Sequence, residues 1–397
     1  MDVPYRIDFV DGAWWGSNPQ DELTWLRHND PVHFDGKVWG ITKHADIRDI
    51  ATQPELFSSA GGIRPESGPV AQMIDMDAPQ HLRRRKLVST GFTPRRVAEQ
   101  EGRVLELTDA ILDRVCEKGE CDLVRDVAAW LPIEVIGQAL GFNPDDFGTL
   151  LEWSDTLMSV LVGNPDADMV ARMGEAFGGY VSYVAGAVAE RRETPTDDLL
   201  SILVHATVDG EKLTDDQILH ESLLILIGGD ETSRHVMTGG VYQLLNDHDQ
   251  WEKLRADRSL LPSAAEEMLR WASPIRNMAR TVTRDLTYGG KQLREGEKLL
   301  LLYPSGNRDE DVFEDPFRFD ITRRPNDHLA FGVGPHFCLG NALARVEIKT
   351  MVDRLLERLP DLEMVEPSEP MWRPANFVSG YESLPVRFTP TAPVGRR

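Results

Sequence analysis

The chain has 397 residues, of which 41% are hydrophobic and 27% charged, and its formal net charge is -22 at pH 7. This length allows two domains of the usual ~100–200 residues or one large enzymatic fold. The acidic excess opposes binding to nucleic acid or anionic lipid, because like charges repel at long range. We therefore expect no nucleic-acid partner.

Cysteine content and apolar runs predict the compartment. The three cysteines, Cys116, Cys121 and Cys338, are too few for a disulfide framework and favour a reducing environment. The first residues lack the pattern of a signal peptide. The longest apolar runs, 223–227 and 299–303, are much shorter than the ~20 residues that span a bilayer. We expect a cytoplasmic protein with no membrane span.

The predicted elements, in chain order, are mostly helical. Short strand-like runs and a helical stretch at 23–27 come first. From residue 95 apolar residues recur every three to four positions, which is typical of an amphipathic helix, and further helical patterns lie at 129–141, 145–162, 167–191, 215–246 and 342–358. Strands are predicted at 281–283, 299–303 and 386–388, with a turn at Gly289–Gly290. No linker interrupts the pattern, so we expect a mainly α fold with small β-sheets in a single domain, 1–397.

A glycine-rich loop contains the cysteine that is best placed for chemistry. Residues 331–340 read FGVGPHFCLG and precede a predicted helix. Alternate glycines permit a tight loop, and the free N–H groups of a helix N-terminus stabilise a thiolate. Gly340 leaves space for something large and flat. These features suit an axial thiolate on haem iron; the alternative is a buried structural cysteine.

In this loop the sequence resembles the cytochrome P450 monooxygenases. The resemblance implies the P450 fold, with haem b between a distal kinked helix and the proximal cysteine loop. It makes Cys338 the iron ligand and places four further loop residues at the cofactor, namely Phe331, Gly332, His336 and Gly340.

Glu267 and Arg270 lie three residues apart, on one face of a predicted helix. Taken alone, such a pair is usually exposed to solvent. The resemblance implies instead a structural lock with a downstream arginine, for which Arg323 is the candidate.

The apolar run 223–227 continues into Gly228, Gly229, Asp230, Glu231 and Thr232. A glycine inside a helix costs about 1 kcal/mol relative to alanine, so the sequence indicates either a simple kink with an exposed Glu231 or a helix opened beside a ligand. The resemblance implies the second. Gly228 and Gly229 would then contact the cofactor, Thr232 would hydrogen-bond dioxygen, and Glu231 would relay the protons that O–O cleavage requires.

Residues 81–96 carry six basic groups and no acidic one. Such a run is often only a solvated face, but the arginine fork suits carboxylates. The resemblance assigns four residues, outside and inside the run, to the haem propionates: His81, Arg85, Arg280 and His328. Arg83, Arg84 and Lys86 would then face an acidic ferredoxin-type carrier, which delivers electrons from NAD(P)H through a reductase.

The substrate-facing regions implied by the resemblance carry few charges, which favours a large apolar ligand. The candidate substrate residues are Ile63, Met73, Ile74, Met76, Leu157, Met158, Val160, Leu161, Val162, Leu224, Gly228, Ile275, Met278, Phe377 and Val378. Some of them are expected to be ordinary core residues.

Longer stretches resemble actinobacterial sterol side-chain hydroxylases, which oxidise the terminal methyl group of cholesterol or cholest-4-en-3-one. These stretches are 61–65, 73–77, 223–232 and 373–380. A macrolide, terpenoid or fatty-acid hydroxylase of the same fold is the alternative. A haem-binding sensor without turnover is the alternative of another class, and the Glu231–Thr232 pair argues against it because binding alone needs no proton delivery.

Overall fold

The computed structural model describes residues 4–159, 166–208, 210–365 and 370–395. Helices make up most of it, as the periodicity predicts, so the expectation of a mainly α fold is confirmed. The helices are α1 Gly12–Gly16, α2 Gln20–Asn29, α3 His44–Ala51, α4 Gln80–Ser89, α5 Pro94–Asp113, α6 Trp130–Ala139, α7 Phe147–Met158, α8 Ala167–Glu193, α9 Leu199–His205, α10 Asp215–Asn246, α11 His248–Ala256, α12 Leu261–Ala272, α13 Tyr303–Gly306 and α14 Asn341–Arg358.

The strands are short and come from distant parts of the chain. They are β1 Val32–Phe34, β2 Trp39–Ile41, β3 Phe57–Ser58, β4 Glu120–Asp122, β5 Thr207–Val208, β6 Glu211–Lys212, β7 Asn277–Val282, β8 Leu286–Tyr288, β9 Lys291–Leu293, β10 Lys298–Leu302, β11 Glu363–Met364 and β12 Pro385–Arg387. The largest sheet has the order β1-β2-β10-β7-β3, and its β2–β10 pair is parallel. A three-stranded sheet, β11-β12-β4, pairs two strands from the last part of the chain with β4.

The long helix α10 runs through the core. Thr214 and Gln217 form a capping box at its start, which satisfies N–H groups that a helix leaves unpaired. The helix packs against α6, α12 and α14, and it continues without a break through Gly228 and Gly229. The glycine pair therefore lies inside one continuous helix.

The Gly289–Gly290 turn has φ values of 53° and 76°, in the left-handed region that glycine adopts readily. It closes the β8–β9 hairpin, which lies between the two predicted strands in the chain. Among the described residues, no helix combines the length and apolarity that a bilayer crossing requires.

Candidate active site

A cavity of about 580 Å³ lies between the middle of α10 and the loop that carries Cys338. Apolar side chains from the 60–76 segment, α10, β7 and the 377–378 segment form one part of its wall. Cys338 and basic side chains form the other part. The cavity therefore has an apolar region and a cationic region that share one space.

The Cys338 loop is fixed by its own backbone. The N–H of Cys338 donates to the carbonyl of Phe331 at 2.9 Å, and Asn341 donates to the carbonyl of Cys338 at 2.8 Å. Gly332 and Gly334 have φ values of 64° and 74°, and a Cβ at Gly334 would lie 2.7 Å from the carbonyl oxygen of Ala51. Both positions therefore require glycine, and the loop holds the Cys338 side chain at the cavity wall.

The environment of the thiol acts in two directions. Burial raises the pKa of Cys338, whereas the N–H of Gly340 and the positive charges of Arg85 and Arg345 lower it. A bound metal ion adds a far larger positive charge than these groups and deprotonates a coordinating thiol.

Four basic side chains line the cationic region of the cavity: His81, Arg85, Arg280 and His336. The rings of His81 and His336 stack with centroids 4.0 Å apart. Arg280 is 3% exposed, and among the described residues its guanidinium donates only to the neighbouring Ala279 carbonyl, at 2.8 Å. Arg85 donates to the carbonyl of Phe337. Within the described ranges, no carboxylate forms a salt bridge with either arginine.

The pKa values of this cluster reflect its burial and its excess of positive charge. Burial and the neighbouring positive charges lower the pKa of His336 to about 3, and burial lowers the pKa of Arg280. A buried cation without an acidic partner is costly, so the cluster is suited to anionic groups such as haem propionates.

One of the four expected propionate residues lies apart from the other three. His328 does not line the cavity, and its Nε2 lies 3.1 Å from a carboxylate oxygen of Glu266. Glu266 is in turn bridged to Arg345 at 2.6 Å. His328 therefore belongs to a polar network beside the loop, and His336 occupies the cationic region instead.

Space for a flat group is visible at two glycines. A Cβ added to Gly228 or to Gly340 would meet no atom within 4 Å, and both residues line the cavity. Gly229 differs, since its Cβ would lie 2.8 Å from Ile136 of α6, so this glycine permits close helix packing. With Cys338 on one wall and unpaired cations at one end, the cavity fits haem.

On α10, Thr232 lines the cavity and its hydroxyl donates to the Gly228 carbonyl at 2.9 Å. This bond to the carbonyl four residues earlier is of a kind that often bends helices.

Glu231 does not line the cavity. It is fully buried, where it accepts from Arg234, from Arg373 at 2.9 Å and from His235 at 3.1 Å. Arg234 and Arg373 hold its pKa well below the usual range, despite burial.

Two buried acids near this point escaped sequence reasoning. Glu347 of α14 lines the cavity, and burial raises its pKa to about 8. Asp230 accepts from Ser154 at 2.8 Å, and burial raises its pKa to about 7. The one available signal was an acid at position 347 among the apolar residues Val346 and Ile348.

The cavity brings together most of the expected substrate residues. Those that line it are Ile63, Met73, Ile74, Leu157, Met158, Leu224, Gly228, Ile275, Met278, Phe377 and Val378. Met76 does not line it, and instead its backbone hydrogen-bonds His336. Val160, Leu161 and Val162 lie outside the described residues. Val70, Phe177 and Leu223 were not among these candidates and also contribute to the apolar wall.

Glu267, Arg270 and Arg323 are assembled away from the cavity. Glu267 and Arg270 are fully buried and paired at 2.7 Å, and Arg323 lies 3.2 Å from Glu267. Arg270 also donates to the carbonyls of Asn307 and Pro316, both at 2.8 Å. The group ties α12 to the segment that precedes the Cys338 loop.

The chain is similar in sequence and in structure to known proteins. The family model "Cytochrome P450" matches residues 164–378. The Steroid C26-monooxygenase of Mycolicibacterium smegmatis is 49% identical over 98% of this chain and 97% of its own length. That of Mycobacterium tuberculosis is 50% identical, covering 98% of each chain. The solved structure of Mycobacterium marinum cytochrome P450 CYP268A2 in complex with pseudoionone is similar with a TM-score of 0.88, at 32% identity over 98% of this chain and all of that one.

Proposed function

Because the chain belongs to the cytochrome P450 family, whose members are haem-thiolate monooxygenases, we propose that it hydroxylates the terminal side-chain carbon of a sterol. Cholesterol and cholest-4-en-3-one are the proposed substrates. The observation that carries the proposal is the apolar wall opposite Cys338. This wall consists largely of aliphatic and methionine side chains, which suit a flexible hydrocarbon chain. Relatives of about 50% identity are named for steroid oxidation at C26.

Cys338 would ligate the haem iron, and Arg85, Arg280, His81 and His336 would hold the propionates. When bound, thiolate-ligated haem uses dioxygen and two electrons to insert one oxygen atom into a C–H bond. The open space at Gly228 and Gly340 leaves room for the ring system. The apolar side chains orient the substrate and exclude water from the reacting carbon.

Thr232 would hold a proton at its hydroxyl, directly on the cavity wall. Glu231, one residue earlier, is ionised and held by Arg234 and Arg373. Its carboxylate can therefore carry a proton towards Thr232 only when these ion pairs open. Glu347 is a second proton reservoir, since its raised pKa keeps it protonated at neutral pH.

Electrons would come from a ferredoxin-type carrier at the face formed by α4, which lies beside the Cys338 loop through the bond of Arg85 to Phe337. Lys86 is exposed there, whereas Arg84 is buried and paired with Glu221 at 2.9 Å. Arg84 is thus removed from the surface that we expected it to share. Lys86→Glu should slow electron transfer from an acidic carrier, and an unchanged rate at low salt would exclude this face.

Two spectra test the proposed function. The reduced holoprotein with carbon monoxide should give the thiolate-type Soret band, and an imidazole-type band would remove Cys338 as the ligand. Titration of the ferric protein with cholest-4-en-3-one should shift iron from low to high spin. A spin shift with a fatty acid, terpenoid or macrolide but with no sterol would overturn the proposed sterol substrate and leave the monooxygenase activity unaffected. Binding without any product under turnover would favour the sensor.

A further inference from the structure

A second cavity, of about 290 Å³, lies on the other side of the chain segment that borders the active site. Ile275 lines the active-site cavity, and the next residue, Arg276, lines the second one. Further lining comes from the end of α10, the end of α12, and the side chains of Asn18, Gln20, Phe317, Trp372 and Tyr381. The two cavities have no lining residue in common.

Two buried guanidinium groups, Arg276 and Arg308, define the second cavity. They are 4% and 5% exposed. Arg276 donates to the carbonyls of Ala272 at 3.4 Å and Ser379 at 3.2 Å. Arg308 donates to the carbonyls of Arg270 at 3.2 Å and Trp271 at 3.1 Å. No carboxylate of residues 4–159, 166–208, 210–365 or 370–395 forms a salt bridge with either one.

This leaves hydrogen-bonding capacity unused in a buried place. A guanidinium has five N–H donors, and within the described part of the chain each of these two makes two hydrogen bonds, both to neutral carbonyls. The Nε of Arg276 is buried and has no hydrogen-bond partner among the residues that the structure describes. Burying two positive charges with neutral partners alone is costly, so the cavity is built to receive negative charge.

Aromatic rings hold both cations in place. The Cζ of Arg276 lies 4.3 Å from the ring centroid of Trp372, and that of Arg308 lies 4.2 Å from that of Trp271. Trp372 and Tyr381 are in contact, with centroids 4.8 Å apart. A guanidinium stacked on a ring is oriented before a ligand arrives, which reduces the entropic cost of binding. The same rings offer an apolar surface beside the charge.

We propose that the second cavity binds a small organic carboxylate. Its carboxylate group lies between Arg276 and Arg308, and its apolar or aromatic part lies against Trp372 and Tyr381. Besides the arginines, the described lining carries no charged side chain; its uncharged polar groups are the amides of Asn18, Gln20, Gln243 and Asn246 and the hydroxyls of Tyr242 and Tyr381. A second negative charge on the ligand therefore finds no partner beyond the two guanidiniums, and an apolar tail is the better complement.

The test is isothermal titration calorimetry of the holoprotein with benzoate as the probe, and with benzamide as its neutral isostere. The active-site cavity is filled beforehand with a tightly bound azole inhibitor, so that the two cavities are separated. Benzoate should bind at one site, and benzamide should not. Arg276→Gln should weaken benzoate by about tenfold or more, whereas Arg255→Gln, an exposed arginine outside the cavity, should leave it unchanged.

Four results would overturn the proposal: no heat with benzoate, equal binding of benzamide, unchanged affinity in Arg276→Gln, or displacement of benzoate by the azole. Binding of inorganic phosphate with no binding of benzoate would overturn the carboxylate class. If Arg276→Gln does not fold, the wild-type protein still tests the proposal, because benzoate should raise its melting temperature and benzamide should not. Arg308→Gln gives an independent second variant.

Discussion

At the scale of single residues, Thr232 places a hydroxyl on the active-site wall, and its only described partner is the carbonyl of Gly228. Thr232→Ala should keep the consumption of reductant but lower the product formed per electron pair by about tenfold or more, since positioned proton transfer contributes roughly 10²–10⁴-fold. Peroxide release measures the difference. Thr232→Ser should restore coupling, and Thr238→Ala, a buried threonine farther along α10, should not disturb it. Full coupling in Thr232→Ala would contradict the proton role.

Arg280 offers a prediction in which two readouts move in opposite directions. Its guanidinium is buried without a described acidic partner, so Arg280→Met should leave the haem-free protein equally or more stable, because it removes an uncompensated charge. Haem should nevertheless leave the variant about tenfold faster, since a charge-assisted bond to a propionate is lost. Melting of the haem-free form and haem transfer to an acceptor protein measure the two effects.

Arg27 provides the matched control for this experiment. It is also buried, but Glu310 compensates its charge at 2.9 Å. Arg27→Met should therefore destabilise the protein with or without haem. If Arg280→Met behaves in the same way as Arg27→Met, the structural role of Arg280 suffices and its assignment to a propionate fails.

The role of a residue could be predicted from the sequence where its chemistry depends on a local motif. Cys338 and its glycines lie in one short loop, so the pattern and the site coincide. His328 and His336 are both histidines near that loop, and only the path of the backbone decides which one faces the cavity. Glu231 presents the same difficulty, since its partner Arg373 lies 142 residues away in the chain. Partners that are distant in sequence leave no local signal.

At the scale of elements, Glu221 of α10 holds the segment that covers the active site. Its carboxylate accepts from the N–H of Met73 at 2.8 Å and from Arg84 at 2.9 Å. Burial raises its pKa to about 7, although Arg84 opposes the shift. The carboxyl is therefore easier to ionise when it is exposed to water, and deprotonation favours the opening of this contact.

We expect the opening of residues 63–76 to become more frequent as pH rises through 7. With a closed-state pKa of about 7 and an ordinary value when open, the opening constant should increase about tenfold from pH 6 to pH 8. Hydrogen exchange of this segment, corrected for the intrinsic effect of pH, measures it. Glu221→Gln should remove the dependence, and Glu99→Gln, an exposed control, should retain it. Slower opening at high pH would contradict the sign.

The helices were predicted better than the sheets, for a physical reason. The boundaries of α10, 215–246, follow from capping residues and periodicity within one segment. The largest sheet, by contrast, pairs β2 with β10, whose paired residues Trp39 and Leu299 are far apart in the sequence. Strands of three residues carry too little pattern to reveal such partners. The hairpin β8–β9 was missed for the same reason.

At the scale of the whole molecule, the net charge of -22 conceals local positive clusters with separate surroundings. One lines the active-site cavity, with Arg85 and Arg280. A second, Arg276 and Arg308, lines the other cavity. Part of the basic run at 81–96 is exposed at Lys86, but Arg84 is turned inward to Glu221. Both cavities thus hold buried cations that no described acid pairs with, and composition alone cannot locate them.

Buried acids of the core predict how global stability depends on pH. Burial raises the pKa of Glu221 and Asp230 to about 7 and of Glu347 to about 8. Between the unfolded and folded pKa values the folded state binds more protons, so the free energy of unfolding must fall as pH rises. His235, with a pKa lowered to about 4, acts in the opposite direction, but only below about pH 6.5, where an unfolded histidine gains its proton.

The window from pH 6.5 to pH 8 therefore isolates the acids. Glu347→Gln should remove roughly 1–2 kcal/mol of the fall in unfolding free energy across this window, because the amide cannot ionise. Urea unfolding of the holoprotein at several pH values measures the slope, with Glu363→Gln as an exposed control on β11. A slope that is the same in Glu347→Gln and the wild type would mean that Glu347 is already ionised in the folded protein, and it would also remove this residue as a proton reservoir beside the active site.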